Sequence, residues 1–209
     1  MKVLIVAATK FEIESVLRSK INADFLVTGV GIPATIFHLN KKLMSSQYDL
    51  VINAGIAGCF SRKFNLGDVL LVEEDTFGDL GISHNNEFKT LFDAGFSAPD
   101  EFPFSGGWLK NKNAKSFNLS PPLVKAVTVN KITDDKIQVQ KLKEKFAADI
   151  ESMEGAAFHY VCIHQQIQFL QIRSISNHVG ECDKSNWEIK KAIVNLNEEL
   201  FKILEKEKS

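Results

Sequence analysis

The run from Val3 to Ala8 constrains the fold of this chain more than any other feature. Its six consecutive residues are all apolar, and three of them are β-branched. A strand without a polar face is typical of a sheet covered on both sides by helices. Thr9 follows in the position of a helix cap, with apolar residues at helical spacing behind it: Phe11, Ile13, Val16 and Leu17. Strand followed by helix predicts the start of a βαβ unit.

Strand and helix patterns alternate along the rest of the chain. Further strands are predicted at Phe25–Thr28, Leu50–Ala54, Val69–Val72, Leu123–Val129 and Phe169–Ile175. Helices are predicted from Ile32 to about Ser45 and at Lys136–Phe146, Ser152–Gln165 and Trp187–Lys206. We therefore expect an α/β fold, with a central mixed, largely parallel sheet flanked by helices, in a single domain over residues 1–209.

The stretch from Asp79 to Ser120 departs from this pattern. Glycines, asparagines and serines surround several large aromatic residues there: Phe92, Phe96, Phe102, Phe104 and Trp108. We expect an irregular segment whose aromatics form a lid over a ligand, an oligomer contact or a satellite of the core.

Composition argues for a small-molecule partner. The 209 residues include 25 basic and 26 acidic ones, for a net charge of −1 and no basic tail, so neither nucleic acid nor an anionic membrane is expected as a partner. Three scattered cysteines without CxxC spacing favour reduced thiols in a cytoplasmic protein. The first apolar run is too short for a signal sequence or a membrane span. The five histidines lack metal-site spacing, and no metal is expected.

Polar residues that directly follow the predicted strands are the first candidates for function. In a doubly wound sheet the ligand lies beyond the carboxyl ends of the strands. Three segments occupy such positions: Thr9–Glu12, Asn53–Gly58 and Ser176–His178. Gly55 and Gly58 would let backbone amides approach a ligand closely, although such glycine pairs also occur where nothing binds.

Glu151 and Glu154 form a second candidate group, three residues apart. On a helix their side chains would project to nearly the same side. Acidic residues also favour a helix N-terminus for electrostatic reasons alone, and on this ground Glu151 is the one expected to be structural.

Together, six segments resemble the nucleoside phosphorylase and nucleosidase superfamily, and within it the futalosine hydrolase family of menaquinone biosynthesis. They are Val3–Glu12, Thr28–Gly31, Asn53–Gly58, Phe77–Gly81, Glu151–Ala157 and Arg173–Asn177. The resemblance implies a cofactor-free homodimer that hydrolyses futalosine, a purine nucleoside, to hypoxanthine and dehypoxanthine futalosine. Implied catalytic residues are Glu12 and Asn177, and implied substrate-binding residues are Glu154, Met153, Arg173, Gly55, Ile56 and Ile132.

The chemistry of N-glycoside cleavage suits these residue types. Glu12 would activate water, with Arg173 positioning it, and Glu154 would bind the ribose hydroxyls while positive charge builds on the sugar. By the resemblance, Met153 packs against the sugar.

Three positions distinguish this chain from other members of the superfamily. Nucleosidases for 6-aminopurines carry aspartate where Asn177 stands; an amide offers N–H donors suited to a 6-oxopurine but cannot supply a proton. Phosphorylases carry arginine and serine where this chain has Asn53 and Ile56, so water is favoured over phosphate. A methylthioadenosine or S-adenosylhomocysteine nucleosidase, an inosine phosphorylase and a nucleoside-binding protein without turnover remain alternatives.

Overall fold

Three parallel strands form the start of the main sheet. The computed structural model describes residues 1–85 and 87–206. In it β1 (Val3–Ala7) lies between β2 (Asp24–Val27) and β3 (Leu50–Cys59), parallel to both. All five residues of β1 are buried, which confirms a strand covered on both faces. Because the three strands run in the same direction, their carboxyl ends meet at one edge of the sheet.

The remaining elements follow the predicted alternation with shifted ends. The strands are β4 (Val69–Phe77), β5 (Gly81–His84), β6 (Glu87–Thr90), β7 (Leu109–Lys110), β8 (Leu123–Thr128), β9 (Ile150–Ser152) and β10 (Phe169–His178). The helices are α1 (Glu14–Leu17), α2 (Ile32–Ser45), α3 (Lys136–Phe146), α4 (Gly155–His164) and α5 (Ile189–Lys206). Short 3-10 turns occupy Lys10–Ile13, Ala114–Phe117 and Lys184–Asn186.

The main sheet is mixed, as expected, but part of it closes on itself and it is not a simple, largely parallel layer. Strand β10 pairs with β3 and β4, β4 pairs with β8, β8 with β9, and β9 with β3, so that five strands close into a ring. The pairs β10–β4, β3–β9 and β4–β7 are antiparallel. The expectation of a largely parallel sheet was therefore too simple. Ring closure depends on the three-residue strand β9, which the sequence analysis assigned partly to a helix.

The core has three parts, each defined by where strand residues point. Val3 and Ile5 face α5 on one side of β1, whereas Leu4 and Val6 face α2 and α4 on the other. A third cluster fills the ring, because all five ring strands contribute to it: Ala57, Cys59, Leu70, Val72, Val124, Ala126, Ile150 and Ile175.

The segment from Asp79 to Ser120 is less irregular than expected. It contains the antiparallel hairpin β5–β6 and the short strand β7, which pairs with β4. Phe92 and Phe104 pack edge to face, and Phe104 also contacts Phe77 and Tyr160. Part of the segment is thus a satellite of the core, while Phe96 and Phe102 remain exposed.

None of the helices in the described part of the chain has the length and hydropathy that a bilayer-spanning segment needs.

Asn197 of α5 joins that helix to the turn that follows β1. Its Nδ2 donates to the carbonyl oxygens of Glu12 and Ile193, both at 2.8 Å, and its Oδ1 accepts from the Val16 N–H at 3.2 Å. The side chain is 2% exposed. The turn that carries Glu12 is therefore fixed from behind by one buried amide.

We predict that Asn197→Ala lowers the free energy of unfolding by about 2 to 4 kcal/mol, because buried backbone groups at Glu12 and Val16 lose their partners. Urea denaturation measures this loss. Val194→Ala, on the exposed face of the same helix, is the control and should change stability by about 0.5 kcal/mol or less. Equal effects of the two substitutions would contradict the anchoring role.

Candidate active site

The carboxylate of Glu12 is held at the carboxyl ends of β1 and β3. Glu12 lies in the 3-10 turn directly after β1 and is 8% exposed. Its Oε2 accepts from the Thr9 backbone N–H at 2.9 Å and from the Thr9 hydroxyl at 3.0 Å, and its Oε1 accepts from the Ile56 N–H at 3.2 Å. Three donors from two segments fix the carboxylate in one orientation.

Glu12 and the guanidinium of Arg173 approach each other over Gly55. A Cβ atom placed on Gly55 would overlap Arg173 Nη1 and would lie 3.0 Å from Glu12 Oε1. Only a residue without a side chain allows both groups to approach this point of β3. Arg173 is 1% exposed and its Nη2 donates to Asn53 Oδ1 at 2.5 Å. The sheet thus holds a buried cation beside the carboxylate.

Glu154 brings a second carboxylate to the same place. It is the N-cap residue of α4, is 7% exposed, and its Oε1 accepts from the Gly31 N–H at 2.9 Å. Burial raises the pKa of Glu154; Arg173 opposes this rise and Glu12 adds to it. The mutual influence shows that the fold brings Glu12, Arg173 and Glu154 together from three separate parts of the chain.

Asn177 lies at a bulge near the end of β10. The pairing with β3 shifts between Ile175 and Asn177, which leaves Ser176 as the extra residue. The Ser176 hydroxyl donates to Asn177 Oδ1 at 2.7 Å, and Asn177 Nδ2 donates to the His178 carbonyl oxygen at 3.0 Å. A Cβ on Gly58 would lie 3.3 Å from this Nδ2. One N–H of the oriented amide is therefore already used, and one is left for a ligand.

The other residues implied by the resemblance have less definite places. Met153 is half-buried between β9 and α4, and Ile56 is half-buried beside Glu12, to which its N–H donates. Ile132 lies in the loop between β8 and α3 with 37% of its surface exposed. Its place in the site stays a prediction.

A polar network beneath α4 was missed by the sequence analysis. Asp75 of β4 is fully buried, and its two oxygens accept from the Thr128 hydroxyl and from Gln171 Nε2, both at 3.0 Å. The Thr128 hydroxyl in turn accepts from the Ala156 N–H at 2.7 Å. A Cβ on Gly155 would overlap Asp75 and Gln171. The network holds the first turn of α4, and with it Glu154, against the sheet. Three consecutive acidic residues, Glu73, Glu74 and Asp75, after four apolar residues of the strand were the available signal.

Glu151 does not share a helix face with Glu154, which corrects the earlier interpretation. It lies in β9, one residue before the strand ends, and it caps no helix. It is 7% exposed, and no described residue donates a hydrogen bond to its carboxyl group. Burial, and then the nearby charge of Asp79, raise the pKa of Glu151 to about 7.

Within residues 1–85 and 87–206, no group of three or more His, Cys, Asp or Glu side chains is arranged to hold a metal ion.

The chain belongs to the phosphorylase superfamily, whose family model matches residues 8–206. It is 26% identical over 191 residues to the futalosine hydrolase of Thermus thermophilus, covering 88% of this chain and 81% of that protein. It is 24% identical over 200 residues to the 5'-methylthioadenosine/S-adenosylhomocysteine nucleosidase of Pseudoalteromonas translucida, covering 86% and 77%. The structure of futalosine hydrolase from Helicobacter pylori strain 26695 superposes with a TM-score of 0.80 at 15% identity, covering 99% and 98%. These matches confirm the superfamily fold.

The buried charge of Asp75 predicts a particular dependence of stability on pH. Burial raises its pKa from 3.8 to about 6, against the opposing effects of Gln171, Thr128 and Arg173. Because the folded pKa is raised, this contribution to stability is fully present below pH 3.8 and is lost as the pH rises through about 6. The full change is worth about 3 kcal/mol.

We predict that Asp75→Asn removes this pH dependence, so that the stability of the variant relative to the natural protein increases as the pH rises from 4 to 7. Gln171 Oε1 has no partner in the described residues and can accept from the new amide after its own amide group rotates. Urea denaturation at several pH values measures the difference, with exposed Asp134→Asn as control. Parallel pH profiles for natural protein and Asp75→Asn would contradict the prediction.

Proposed function

We propose that this chain hydrolyses the N-glycosidic bond of futalosine, releasing hypoxanthine and dehypoxanthine futalosine. The observation that carries the proposal is the approach of Glu12 and Arg173 over Gly55, with the amide of Asn177 beside Gly58 further along the same strand. Similarity to futalosine hydrolases over most of the chain supports the same substrate.

Glu12 acts as the general base. Its Oε1 and Arg173 Nη1 both lie close to the Cβ position of Gly55, and we place the attacking water beside this pair, in contact with both groups. Glu12 takes a proton from this water as it attacks the anomeric carbon, a step worth roughly a hundredfold to ten-thousandfold in rate. Gly55 leaves the backbone bare at this point, and the Ile56 N–H holds the carboxylate in place.

Glu154 binds the ribose. Its Oε1 accepts from the Gly31 N–H, and the carboxylate has further acceptor positions for the 2′ and 3′ hydroxyls. Cleavage builds positive charge on the sugar, and a carboxylate held by these hydroxyls stabilises that charge more in the transition state than in the ground state. Met153, at the start of the same helix, packs against the sugar, and Ile132 lies against the base.

Asn177 selects the base. Its remaining N–H lies over Gly58 and donates to hypoxanthine, stabilising the negative charge that collects on the departing ring. A 6-aminopurine presents a donor where hypoxanthine presents an oxygen, so the amide favours the 6-oxopurine. This favours futalosine over methylthioadenosine or S-adenosylhomocysteine.

Water, not phosphate, is the proposed nucleophile. The Asn53 oxygen is engaged by Arg173, and the Ile56 side chain is apolar, so neither residue supplies a charged anchor for an oxyanion. The arrangement thus favours hydrolysis over an inosine phosphorylase activity.

A homodimer is proposed because apolar residues are exposed next to the site. Phe37 is 62% exposed and Met44 is 75% exposed on α2, the helix that begins beside Gly31, and Phe102 is 63% exposed. A second copy of the chain packed on this face would bury these side chains and border the pocket.

The wider setting is proposed from the resemblance. The enzyme acts as a single domain over residues 1–209, without a cofactor, in the cytoplasm, and its reaction belongs to menaquinone biosynthesis. Its partners are a purine nucleoside and a second copy of itself, without nucleic acid or membrane.

The direct test is base release from futalosine, inosine and methylthioadenosine by the purified protein, each with and without phosphate. We expect hypoxanthine release from futalosine, independent of phosphate. Adenine release from methylthioadenosine would favour the nucleosidase alternative, and a phosphate requirement would favour the phosphorylase.

For Glu12→Gln we predict that kcat falls by roughly a hundredfold to ten-thousandfold on futalosine, because a carboxamide cannot take the proton from water. Steady-state kinetics of hypoxanthine release measure this. Glu14→Gln, two residues away in an exposed ion pair with Arg18, is the matched control and should retain activity. Full activity in Glu12→Gln would overturn the assignment of the base.

For Asn177→Asp we predict a loss of kcat/KM on futalosine of at least about tenfold, because a carboxylate repels the 6-oxo oxygen and the His178 carbonyl. The ratio of kcat/KM for 6-oxo and 6-amino nucleosides is the measurement, and it should shift toward the 6-amino substrate. Exposed Asn22→Asp serves as control. An unchanged ratio would show that residue 177 does not contact the base.

A further inference from the structure

Glu151 is a buried acid that the proposed reaction does not yet use. It is 7% exposed, and it has no hydrogen-bond donor among the residues that the structure describes. Glu12, by contrast, accepts from three donors. Since hydrogen bonds to a carboxylate favour its ionised form, the two acids have opposite surroundings.

The strand register places Glu151 beside the proposed position of the base. Gly58 of β3 pairs with Asn177 of β10 on one side and with Glu151 of β9 on the other. Paired residues of neighbouring strands project to the same face of a sheet. Gly58 has no side chain of its own, and Val179 Cγ2 covers it, 3.0 Å from the position that a Cβ of Gly58 would take. Asn177 and Glu151 therefore lie on either side of a narrow apolar patch, with two strand spacings, about 10 Å, between their Cα atoms. A planar base lying against Val179 would have the amide at one edge and the carboxyl group at the other.

We propose that Glu151 is the general acid that protonates the departing purine. This inference rests on the proposed function, and it supplies the proton that Asn177 cannot give, because an amide is not an acid at neutral pH.

The step balances without any further reactant. Glu12 removes a proton from water, the new C–O bond forms at the anomeric carbon, and the C–N bond to the purine breaks. Its electron pair moves into the purine ring, and a ring nitrogen takes the proton from the Glu151 carboxyl group. Glu12 is then protonated and Glu151 ionised; one releases a proton to solvent and the other regains one, which restores the starting state.

The groups that face Glu151 keep it in the acid form. Asp79, after β4, contributes a negative charge and is held by the Asn130 N–H at 2.6 Å. The Cys182 thiol lies in the loop between β10 and α5. Burial, and then the negative charges of Asp134, Glu181 and Glu151, raise the pKa of this thiol. On β3 and β8 the paired residues are Gly58 and Val127, which carry no charge. No cation of the described chain acts on Glu151, and burial with Asp79 raises its pKa to about 7.

The test compares Glu151→Gln with the natural protein on futalosine and on 4-nitrophenyl β-D-ribofuranoside, whose leaving group departs without a proton. We expect kcat on futalosine to fall by roughly a hundredfold or more. The riboside should be cleaved within about twofold of the natural rate, because acid catalysis is not needed there. Glu12→Gln should lose activity on both substrates, since both reactions need activated water.

The pH profile gives a second, independent readout. In the natural protein, kcat/KM on futalosine should decline as the pH rises through about 7, because the acid becomes ionised. Glu151→Gln should lose this decline, and Glu151→Asp, which retains an acid, should keep it with partial activity. Asp134→Asn, an exposed acid nearby, should behave as the natural protein.

Three outcomes would overturn the proposal: full kcat on futalosine in Glu151→Gln, equal losses on both substrates, or a rise in KM alone, which would indicate base binding without proton transfer. If futalosine is not a substrate of the natural protein, the proposed function fails. The same comparison on whichever purine nucleoside is cleaved, together with its pH profile, then decides the role of Glu151 separately.

Discussion

The site depends on the close approach of two opposite charges over a strand position that lacks a side chain. Arg173 is almost completely buried, and a buried cation without compensation would cost several kcal/mol. Asn53 accepts from the guanidinium, and the carboxylates of Glu12 and Glu154 contribute the opposing charge. Gly55 allows this compensation, because any larger residue would occupy the space between Arg173 and Glu12. The constraint that makes the buried arginine tolerable also brings the two groups together at the point where the proposed reaction needs them.

The side chains that we propose to be functional are positioned by residues outside the proposed site. Asn197 binds the turn that carries Glu12 to α5, and Asp75 with Thr128 binds the first turn of α4, which carries Glu154. Neither anchor contacts the proposed substrate, yet each fixes one carboxylate relative to the sheet. Such fixed placement matters because a displacement of about 1 Å can reduce a rate a hundredfold.

The sequence predicted those features that depend on local pattern. The apolar run Val3–Ala8 identified β1, and the bounds of α3 agree with its prediction, since helical periodicity and an aspartate cap are local signals. Ring closure was not predictable, because β9 is a strand only through its pairing with β3 and β8. Because β9 was not predicted, Glu151 was expected on the same helix as Glu154, although the helix begins only after Glu154. Asp75 was missed because its partners come from Thr128 and Gln171, both distant in sequence.

The amide at position 177 and the acid at position 151 are best understood together. The resemblance implies that 6-aminopurine nucleosidases carry an aspartate where this chain has Asn177. A single aspartic acid can both bind the base and give it a proton. Replacing it by asparagine changes the hydrogen-bonding preference but removes a proton donor. In the proposed reaction, a second acid on the opposite side of Gly58 restores that capacity without restoring the preference for a 6-amino group. The proposal thus divides selection and protonation of the base between two residues, whose strands both pair with β3 at Gly58.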